Sequence, residues 1–300
     1  MKAVQYASYG GPEVLQVTEV EEPHARPGQI RVKVQAAGVN PFDTYLRMGA
    51  MAGGVPLAAP VTVGVEAAGI VDEVGEGVDG VAAGDAVFGF AASGGTAEYA
   101  VLSAWARQPS SFSPEQAGGM TLVVETATRV LRDLGVGPGS TVLIHGAGGG
   151  VGQAAVQLAR ELGVRVIATA GERNHATLQG WGADVTTYGE GLPERVAALA
   201  PDGVDGVFDA VGSQLDDLLV IAGAPERIVT ITNFAAAEQG VRVSGGGARA
   251  YDALAWASEL ADAGKFELTV LQTFAPDEAT QAHQLIQTRT ANGKLVIVFE

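Results

Sequence analysis

Cysteine is absent from this sequence of 300 residues, and histidine occurs only four times, at His24, His145, His175 and His283. Without cysteine, the chain has no disulfide, no thiolate nucleophile and no metal site with a sulfur ligand. The four histidines are scattered, and no two of them stand at the helical spacing that pairs metal ligands. The sequence therefore argues against metal catalysis, and we expect no bound metal.

Positive charge is also scarce, since 18 basic residues face 34 acidic ones and the formal net charge is -16. Such a field repels phosphate backbones and anionic lipids, so we expect neither nucleic acid nor a membrane surface as a partner. The sequence also lacks an uninterrupted apolar run of about 18 residues and an N-terminal run of signal-peptide length. We expect a cytoplasmic protein.

Apolar content is high, because 47% of the residues are hydrophobic and 17% are charged, which is enough to bury two domain cores. The first hundred residues form short β patterns broken by glycine and proline, which is typical of an irregular all-β domain. This pattern of short β segments ends at Ser113 and Pro114. These β patterns lie at 3–7, 14–20, 30–39, 67–75, 85–90 and 97–104.

From Pro138 to about Gly247, apolar strands alternate with helical patterns, as in a βαβ series. The nearly continuous Val, Ile and Leu of the first two strands favours a parallel sheet buried on both faces. We therefore predict an α/β fold with a Rossmann-type doubly wound parallel sheet. The late strand at 294–299 is predicted to return to the N-terminal domain. The six strands of the series are predicted at 141–145, 164–170, 185–188, 206–210, 227–231 and 241–244.

A glycine-rich turn joins the first strand of this series to a helix. Its residues are Gly146, Ala147, Gly148, Gly149, Gly150, Val151 and Gly152. Glycines allow positive φ, let backbone amides approach a pyrophosphate and let helix and strand pack closely. The spacing departs from strict GxGxxG, because Ala147 occupies the first glycine position. With a strand before and a helix after, we predict dinucleotide binding, the alternative being a purely structural turn.

The end of the second strand bears on the choice of dinucleotide. An acidic residue there binds a ribose 2′-hydroxyl, whereas a small residue followed by arginine suits a 2′-phosphate. Gly171 is followed by Glu172, which keeps NADH open, and then by Arg173, the nearest cation for a phosphate. We favour NADPH, with Arg173 as its phosphate ligand; alternatively, Arg173 is a solvated residue that opens the next helix.

Several separate motifs run along the chain besides the glycine turn. They are AAGVNPFDTYLRMG (36–49), GVEAAGIVDEVG (64–75), GDAVFGF (84–90), GTAEYAV (95–101), GADVTTY (182–188), GVFDAVG (206–212) and GKLVIVF (293–299). Through these motifs, and over nearly its whole length, the chain resembles the zinc-independent, zeta-crystallin-like quinone oxidoreductases of the medium-chain dehydrogenase/reductase superfamily.

The resemblance implies a GroES-like irregular β-barrel catalytic domain, residues 1–117 with 265–300, and a Rossmann NADP(H)-binding domain, residues 118–264. Zinc-dependent relatives carry a histidine beside the glutamate of the second motif and a cysteine within the first. Val65 and Asn40 stand in those neighbourhoods here, which again argues against zinc. The family also implies a homodimer, for which the strand at 241–244 offers an edge.

By the same resemblance, Asn40 lies beside the nicotinamide, and Asp43 and Tyr45 line the substrate pocket. Local alternatives exist for two of them. Asp43 and Arg47 stand at i and i+4 and could form a surface ion pair, while Tyr45 could be a core aromatic.

Further cofactor contacts are implied in the second domain. Thr126 resembles a residue that hydrogen-bonds near the nicotinamide, and its neighbour Glu125 is expected to be exposed to solvent. Tyr188 resembles a tyrosine near the adenosine phosphate. Asn233 and Phe234 fall where relatives contact the nicotinamide end.

Lys294 belongs to an element that resembles the C-terminal closure over the cofactor, its alternative being a plain strand-opening residue. The cover segment 232–247 is short for the family. We expect an open pocket that tolerates bulky polycyclic quinones.

Without a metal to polarise a carbonyl, the hydride acceptor must already be electron-poor, as quinones and enones are. Alcohols need a base or Lewis acid. We therefore predict an NADPH-dependent quinone or enone reductase, with Tyr45 or solvent as proton donor. An enoyl-thioester reductase and a non-catalytic NADPH-binding protein remain the alternatives, although the acidic chain shows no basic patch for docking a carrier protein.

Overall fold

A computed structural model describes residues 1–245 and 248–299, which form two compact units. The first unit comprises Met1–Leu122 and the chain from Leu254 onward, and the second comprises Val123–Ala253. The sequence had placed residues 118–122 and 254–264 in the second domain. The structure assigns them to the first unit. One contact of the helix that follows residue 253 with the rest of the first unit is the hydrogen bond that the Ser258 hydroxyl donates to the Arg107 carbonyl at 2.8 Å.

The first unit consists mainly of strands, and in the second unit strands alternate with short helices. The strands are β1 (Lys2–Tyr6), β2 (Gln16–Glu19), β3 (Ile30–Val39), β4 (Val61–Thr62), β5 (Glu66–Val74), β6 (Ala86–Ala91), β7 (Tyr99–Arg107), β8 (Thr141–His145), β9 (Arg165–Thr169), β10 (Asp184–Thr186), β11 (Gly206–Asp209), β12 (Ile228–Thr230), β13 (Arg242–Val243), β14 (Val270–Phe274) and β15 (Lys294–Val298). The helices are α1 (Pro41–Arg47), α2 (Pro114–Gly118), α3 (Thr121–Leu134), α4 (Gly150–Glu161), α5 (His175–Gly180), α6 (Leu192–Leu199), α7 (Leu215–Ala222), α8 (Ala253–Asp262) and α9 (Ala279–Gln287).

The first unit is built on a six-stranded sheet in the order β14-β15-β3-β5-β6-β7, in which β3 also pairs with β7. That extra pairing bends the sheet back on itself, as an irregular barrel requires. A smaller sheet runs β2-β1-β4. The predicted return of the C-terminal strand is confirmed, because β15 pairs antiparallel with β3 and places Leu295 opposite Val39.

The second unit contains a parallel sheet in the order β10-β9-β8-β11-β12-β13. This order confirms the predicted Rossmann-type sheet, and all six predicted strands are present. The order reverses between β8 and β11, so this sheet places its switch point at the carboxyl ends of those two strands, where ligands of open α/β sheets bind. Among the described residues, no helix combines the length and the apolar character that crossing a bilayer requires.

Two strands of the first unit had no counterpart in the sequence patterns. β4 has only two residues, too few for a period to show. β14 contains Leu271, Gln272 and Thr273, all exposed, so it lacks the alternating buried face on which strand prediction depends.

Glu125 on α3 was expected to face solvent, and this expectation is wrong, because its side chain is fully buried. Its carboxylate receives a 2.9 Å hydrogen bond from Arg129 Nε and a 3.2 Å hydrogen bond from the Ala250 backbone N–H. Arg249 lies 3.5 Å from the other oxygen. A buried carboxylate is tolerated only with such partners. The only local sequence signal for this ion pair was the position of Arg129 four residues after Glu125.

Replacing Glu125 by glutamine should destabilise the fold by about 3–5 kcal/mol, because the Arg129 guanidinium would stay buried without its anion. The measurement is the free energy of unfolding in denaturant, followed by circular dichroism. The control is Asp252→Asn, which removes an ion pair to Arg132 whose partners are both more than half exposed, and should cost about 1 kcal/mol or less. Equal losses in the two variants would contradict the buried pair.

Candidate functional site

The glycine turn of the second unit adopts the conformation that a dinucleotide loop needs. Gly146 has φ +101°, a left-handed value that side-chain-bearing residues avoid. Ala147 has no positive φ and is fully buried, which explains why alanine is tolerated at the first position of the motif. The residue with positive φ is thus Gly146, one position before Ala147, which stands at the first glycine position of the GxGxxG motif.

Helix α4 begins directly after this turn, with Gly149 as its N-cap residue and without a side-chain cap. The first N–H groups of a helix have no acceptor within the helix, and the helix dipole makes that end electropositive. The N–H groups of Gly150, Val151 and Gly152 are in this position. They are suited to bind the pyrophosphate of a dinucleotide.

Gly152 is required by close packing rather than by its φ. A Cβ atom at this position would lie 2.2 Å from the Gly146 carbonyl oxygen and 2.6 Å from the Ala147 Cα. A Cβ on Gly149 would meet nothing closer than 3.7 Å. The two glycines therefore differ: Gly152 lets the helix approach the strand, and Gly149 leaves open space beside the backbone.

Tyr188 packs edge-on against the imidazole of His145 at the end of β8, with ring centroids 5.2 Å apart. His145 Nδ1 lies 2.8 Å from Thr169 Oγ1. Burial lowers the pKa of His145 and raises the pKa of Tyr188, so both rings are neutral at pH 7. The Tyr188 side chain is still partly exposed, so it remains available to a ligand at the carboxyl end of the sheet.

The other predicted cofactor residues of this unit occupy separate positions. Arg173 is exposed in a 3-10 turn after β9, and Phe234 is exposed after β12. Asn233 Nδ2 donates to the Gly212 carbonyl at 3.3 Å, and Thr126 is buried on α3. Their cofactor roles stay predictions. The cover segment 232–247 includes residues 246 and 247, which lie outside the described residues.

In the first unit, a fully buried carboxylate, Glu66, organises the polar residues around Asn40. It accepts hydrogen bonds from Asn40 Nδ2 at 2.7 Å, from the Leu122 backbone N–H at 2.8 Å and from Lys294 Nζ at 2.9 Å. Three donors, one of them charged, provide the compensation that a buried carboxylate needs. Sequence reasoning placed this glutamate in a motif but assigned it no role.

Lys294 opens β15 and is also buried, with its ammonium 2.5 Å from Asn40 Oδ1 as well as bonded to Glu66. The carboxamide of Asn40 is thereby fixed, with its oxygen toward the lysine and its nitrogen toward the glutamate. Neither interpretation of Lys294 from the sequence, closure over the cofactor or a plain strand-opening residue, predicted its hydrogen bonds to Asn40 and Glu66. Its predicted contact with the cofactor stays a prediction.

Asp43 and Arg47 do not form the surface ion pair that their spacing suggested, because both side chains are buried. Asp43 Oδ2 accepts a 2.8 Å hydrogen bond from the Asn40 backbone N–H, while Arg47 donates to the Gly10 carbonyl and lies 3.5 Å from His283 Nδ1. Helical spacing alone cannot tell whether a shared face points inward. Burial raises the pKa of Asp43 to about 7.

Tyr45, on the same helix as Asp43, is only partly buried. Its hydroxyl accepts a 2.9 Å hydrogen bond from Arg289. The alternative of a core aromatic is therefore wrong. Its proposed role as proton donor is untested.

A cavity of about 400 Å³ lies within the first unit and includes Asp43 in its wall. The other walls come from Tyr6, Leu46 and two segments, residues 60–65 around β4 and residues 91–94 at the end of β6. Apolar side chains such as Val61, Val63 and Val65 and polar groups such as Thr62 and Ser93 both line the cavity, in about equal measure. A cavity of this volume can hold a small organic molecule.

Comparison with known proteins agrees with this architecture. Residues 26–110 match the family described as alcohol dehydrogenase GroES-like domain, and residues 150–245 match the family described as zinc-binding dehydrogenase. Quinone oxidoreductase of Sus scrofa is 30% identical over 323 aligned residues, covering 99% of this chain and 98% of that protein.

Solved structures give the same result. Quinone oxidoreductase from Coxiella burnetii superposes with a TM-score of 0.83 at 30% identity, covering 100% of this chain and 99% of that one. A mycobacterial protein complexed with NADPH has a TM-score of 0.82 at 29% identity and full coverage of both chains. The predicted GroES-like domain and the Rossmann-type sheet are thereby both confirmed.

Substituting Gly152 by alanine should cost about 1–3 kcal/mol of stability, because the new Cβ overlaps the Gly146 carbonyl. Gly149→Ala is the matched control; its Cβ meets no steric overlap, so it should lower the thermal midpoint less, by no more than the weaker N-cap preference of alanine. Both are checked by thermal unfolding without ligand. A midpoint for Gly152→Ala equal to that of the parent chain would contradict the packing argument.

Breaking the buried ion pair on one side, by Glu66→Gln or Lys294→Met, should cost about 3–5 kcal/mol in each case. The double variant should lose less than the sum, because neither charge is then left uncompensated. A double-mutant cycle on the free energy of unfolding measures this coupling. Additive losses would show that the two charges do not stabilise each other.

Proposed function

Because this chain belongs to the quinone oxidoreductase branch of the medium-chain dehydrogenase/reductase superfamily, we propose that it is an NADPH-dependent, zinc-independent reductase of quinones and α,β-unsaturated carbonyl compounds. That the chain is an oxidoreductase follows from its family. The single observation that carries the finer proposal is the buried cluster of Asn40, Glu66 and Lys294.

This cluster does not fit a catalytic zinc ion. Asn40 and Val65 stand where zinc-dependent relatives carry cysteine and histidine, and neither side chain is a usual zinc ligand. The Lys294 ammonium already contacts both Asn40 and Glu66, so a divalent cation there would meet a fixed positive charge. We derive no step through zinc.

The second unit fits NADPH. A Cβ at Gly152 would overlap the backbone of its glycine turn, so the turn depends on glycine at this position. The start of α4 has no side-chain cap and offers its N–H groups to a pyrophosphate. Arg173 follows β9 at the position suited to a 2′-phosphate. The solved relative complexed with NADPH supports the same choice of cofactor.

NADPH, when bound, supplies the hydride. This chain's part is to hold an acceptor that is already electron-poor, because the residues around Asn40 do not fit the zinc ion that would activate an alcohol. Asn40 is held rigidly by Lys294 and Glu66, so its remaining N–H needs no reorganisation to stabilise charge on a substrate oxygen. Preorganised groups of this kind favour transfer to quinones and enones.

Further properties belong to the same proposal. The protein acts in the cytoplasm as a homodimer, which sedimentation would test, and its charge of -16 supports the absence of nucleic-acid and membrane partners. The short cover segment supports tolerance of polycyclic quinones, which a series of quinones of increasing size would test.

The experiment is NADPH consumption with phenanthrenequinone and a linear enone, offered separately, in buffer with EDTA. We expect turnover with both acceptors. The Arg173→Ala variant should have a KM for NADPH about tenfold or more above that of the parent chain, because the 2′-phosphate loses a charged hydrogen bond. Its KM for NADH, which has no 2′-phosphate, should be unchanged. Arg26→Ala, another exposed arginine, is the control.

A preference for NADH in the parent chain would contradict the choice of cofactor, and loss of turnover in EDTA would contradict zinc independence. NADPH binding without turnover of either acceptor would favour an enoyl-thioester reductase or a non-catalytic binding protein.

A further inference from the structure

The turn that follows β10 in the second unit is held by one arginine of the next helix. Arg195, on α6, donates hydrogen bonds to four consecutive backbone carbonyls. They are those of Thr187 at 3.0 Å, Tyr188 at 3.3 Å, Gly189 at 3.4 Å and Glu190 at 2.5 Å. Arg195 Nε donates to the hydroxyl of Thr186, the last residue of β10, at 3.0 Å. All three nitrogens of the guanidinium thus have acceptors within residues 186–190, so this group holds the turn.

A second side chain reaches the same turn from the start of α7. Gln214 Oε1 accepts a hydrogen bond from the Gly189 N–H at 3.3 Å, and its Nε2 donates to Asp217 at 2.9 Å. The backbone of Gln214 has φ +58°, although it is not a glycine. This conformation is unfavourable for a residue with a side chain and persists only where the surrounding structure imposes it. The turn 187–190 is therefore fixed by two elements.

The turn lies beside the part of the sheet that recognises the adenosine half of a dinucleotide. In a Rossmann-type sheet, the ribose of this half is bound at the carboxyl end of the second strand, which is β9 here. β10 is the neighbour of β9, and Thr186 pairs with Thr169, the last residue of β9. Tyr188 packs on His145 and hydrogen-bonds to Thr169. Because Tyr188 is still 37% exposed at this edge, a bound adenosine can contact it.

We propose that Arg195 and Gln214 are positioning residues for the dinucleotide, which hold the turn 187–190 so that Tyr188 is preorganised to contact the adenosine half. This inference rests on the proposed function and adds to it two residues that act through Tyr188. A side chain already fixed in its bound orientation loses little conformational entropy on binding, which raises the affinity. Adenosine is common to NADPH and NADH, so the effect should be equal for both, unlike that of Arg173, which concerns only the 2′-phosphate.

Arg195→Ala is the first variant to measure, by the fluorescence of bound NADPH or NADH with no acceptor present. Both Kd values should rise about fivefold, as expected for the loss of about one net hydrogen bond. In turnover, the KM for NADPH should rise by the same factor, while kcat at saturating NADPH stays unchanged. The matched control is Arg165→Ala. Arg165 bonds to Asp184 and to the Leu199 carbonyl at the opposite end of β9, so its removal should leave both Kd values unchanged.

A double-mutant cycle tests whether Arg195 acts through Tyr188. Tyr188→Ala should weaken NADPH binding at least as much as Arg195→Ala does, and Arg195→Ala should have no further effect in the Tyr188→Ala chain. Additive losses would overturn the proposal. A parent-like Kd in Arg195→Ala, accompanied by a lowered thermal midpoint, would also overturn it, because Arg195 would then serve stability alone.

Gln214→Gly separates positioning from stability and remains informative should Arg195→Ala fail to fold. Glycine adopts φ +58° without strain, which offsets the lost hydrogen bonds, so the thermal midpoint should stay near that of the parent chain. The Kd for NADPH should nevertheless rise about threefold, because the turn loses its contact with the Gln214 amide. An unchanged Kd would overturn the role of Gln214.

The binding measurements also distinguish this inference from the proposed function. If the parent chain binds neither NADPH nor NADH, the proposed function fails and the inference fails with it. If the parent chain binds a dinucleotide and both variants bind it equally well, only the inference fails. If the Kd values rise as expected but no acceptor is reduced, the positioning role stands and the reductase proposal fails.

Discussion

The buried ion pair between Glu66 and Lys294 is the interaction on which the first unit depends most. Its two carboxylate oxygens and one ammonium connect β5, the start of β15, the N-terminus of α1 through Asn40 and the start of α3 through Leu122. Removing two charges from water costs several kcal/mol per ion, and only good geometry with further hydrogen bonds compensates it. The pair therefore fixes these elements relative to one another.

A second consequence concerns the neighbouring Asp43. Because Lys294 is committed to Glu66 and Asn40, it gives Asp43 little compensation, and the guanidinium of Arg47 is directed elsewhere. Burial without a compensating cation favours the neutral form of a carboxyl group, and it raises the pKa of Asp43 to about 7. The unit thus contains two buried carboxyl groups with different partners, an ammonium group for Glu66 and a backbone N–H for Asp43.

The second unit depends on a steric constraint rather than an ionic one. Helix α4 approaches the chain that follows β8 so closely that no Cβ fits at Gly152, and the start of this helix has no side-chain cap. Such a constraint is local in the chain. It could be read from the sequence, as could the six parallel strands, because unbroken Val and Ile runs and a glycine turn are properties of neighbouring residues.

The sequence by itself thus determined the parallel sheet, the dinucleotide turn, the family and the residues around Asn40 as candidates. It did not determine the environment of charged side chains: Glu125 was expected at the surface, a surface ion pair was the alternative for Asp43 and Arg47, and all three side chains are buried. Only the tertiary structure decided this, because Lys294 meets Glu66 across 228 positions of chain and Arg47 meets His283 across 236. Periodicity and propensity act over a few residues, whereas the pKa and the partner of a buried charge depend on elements that only the folded chain brings together.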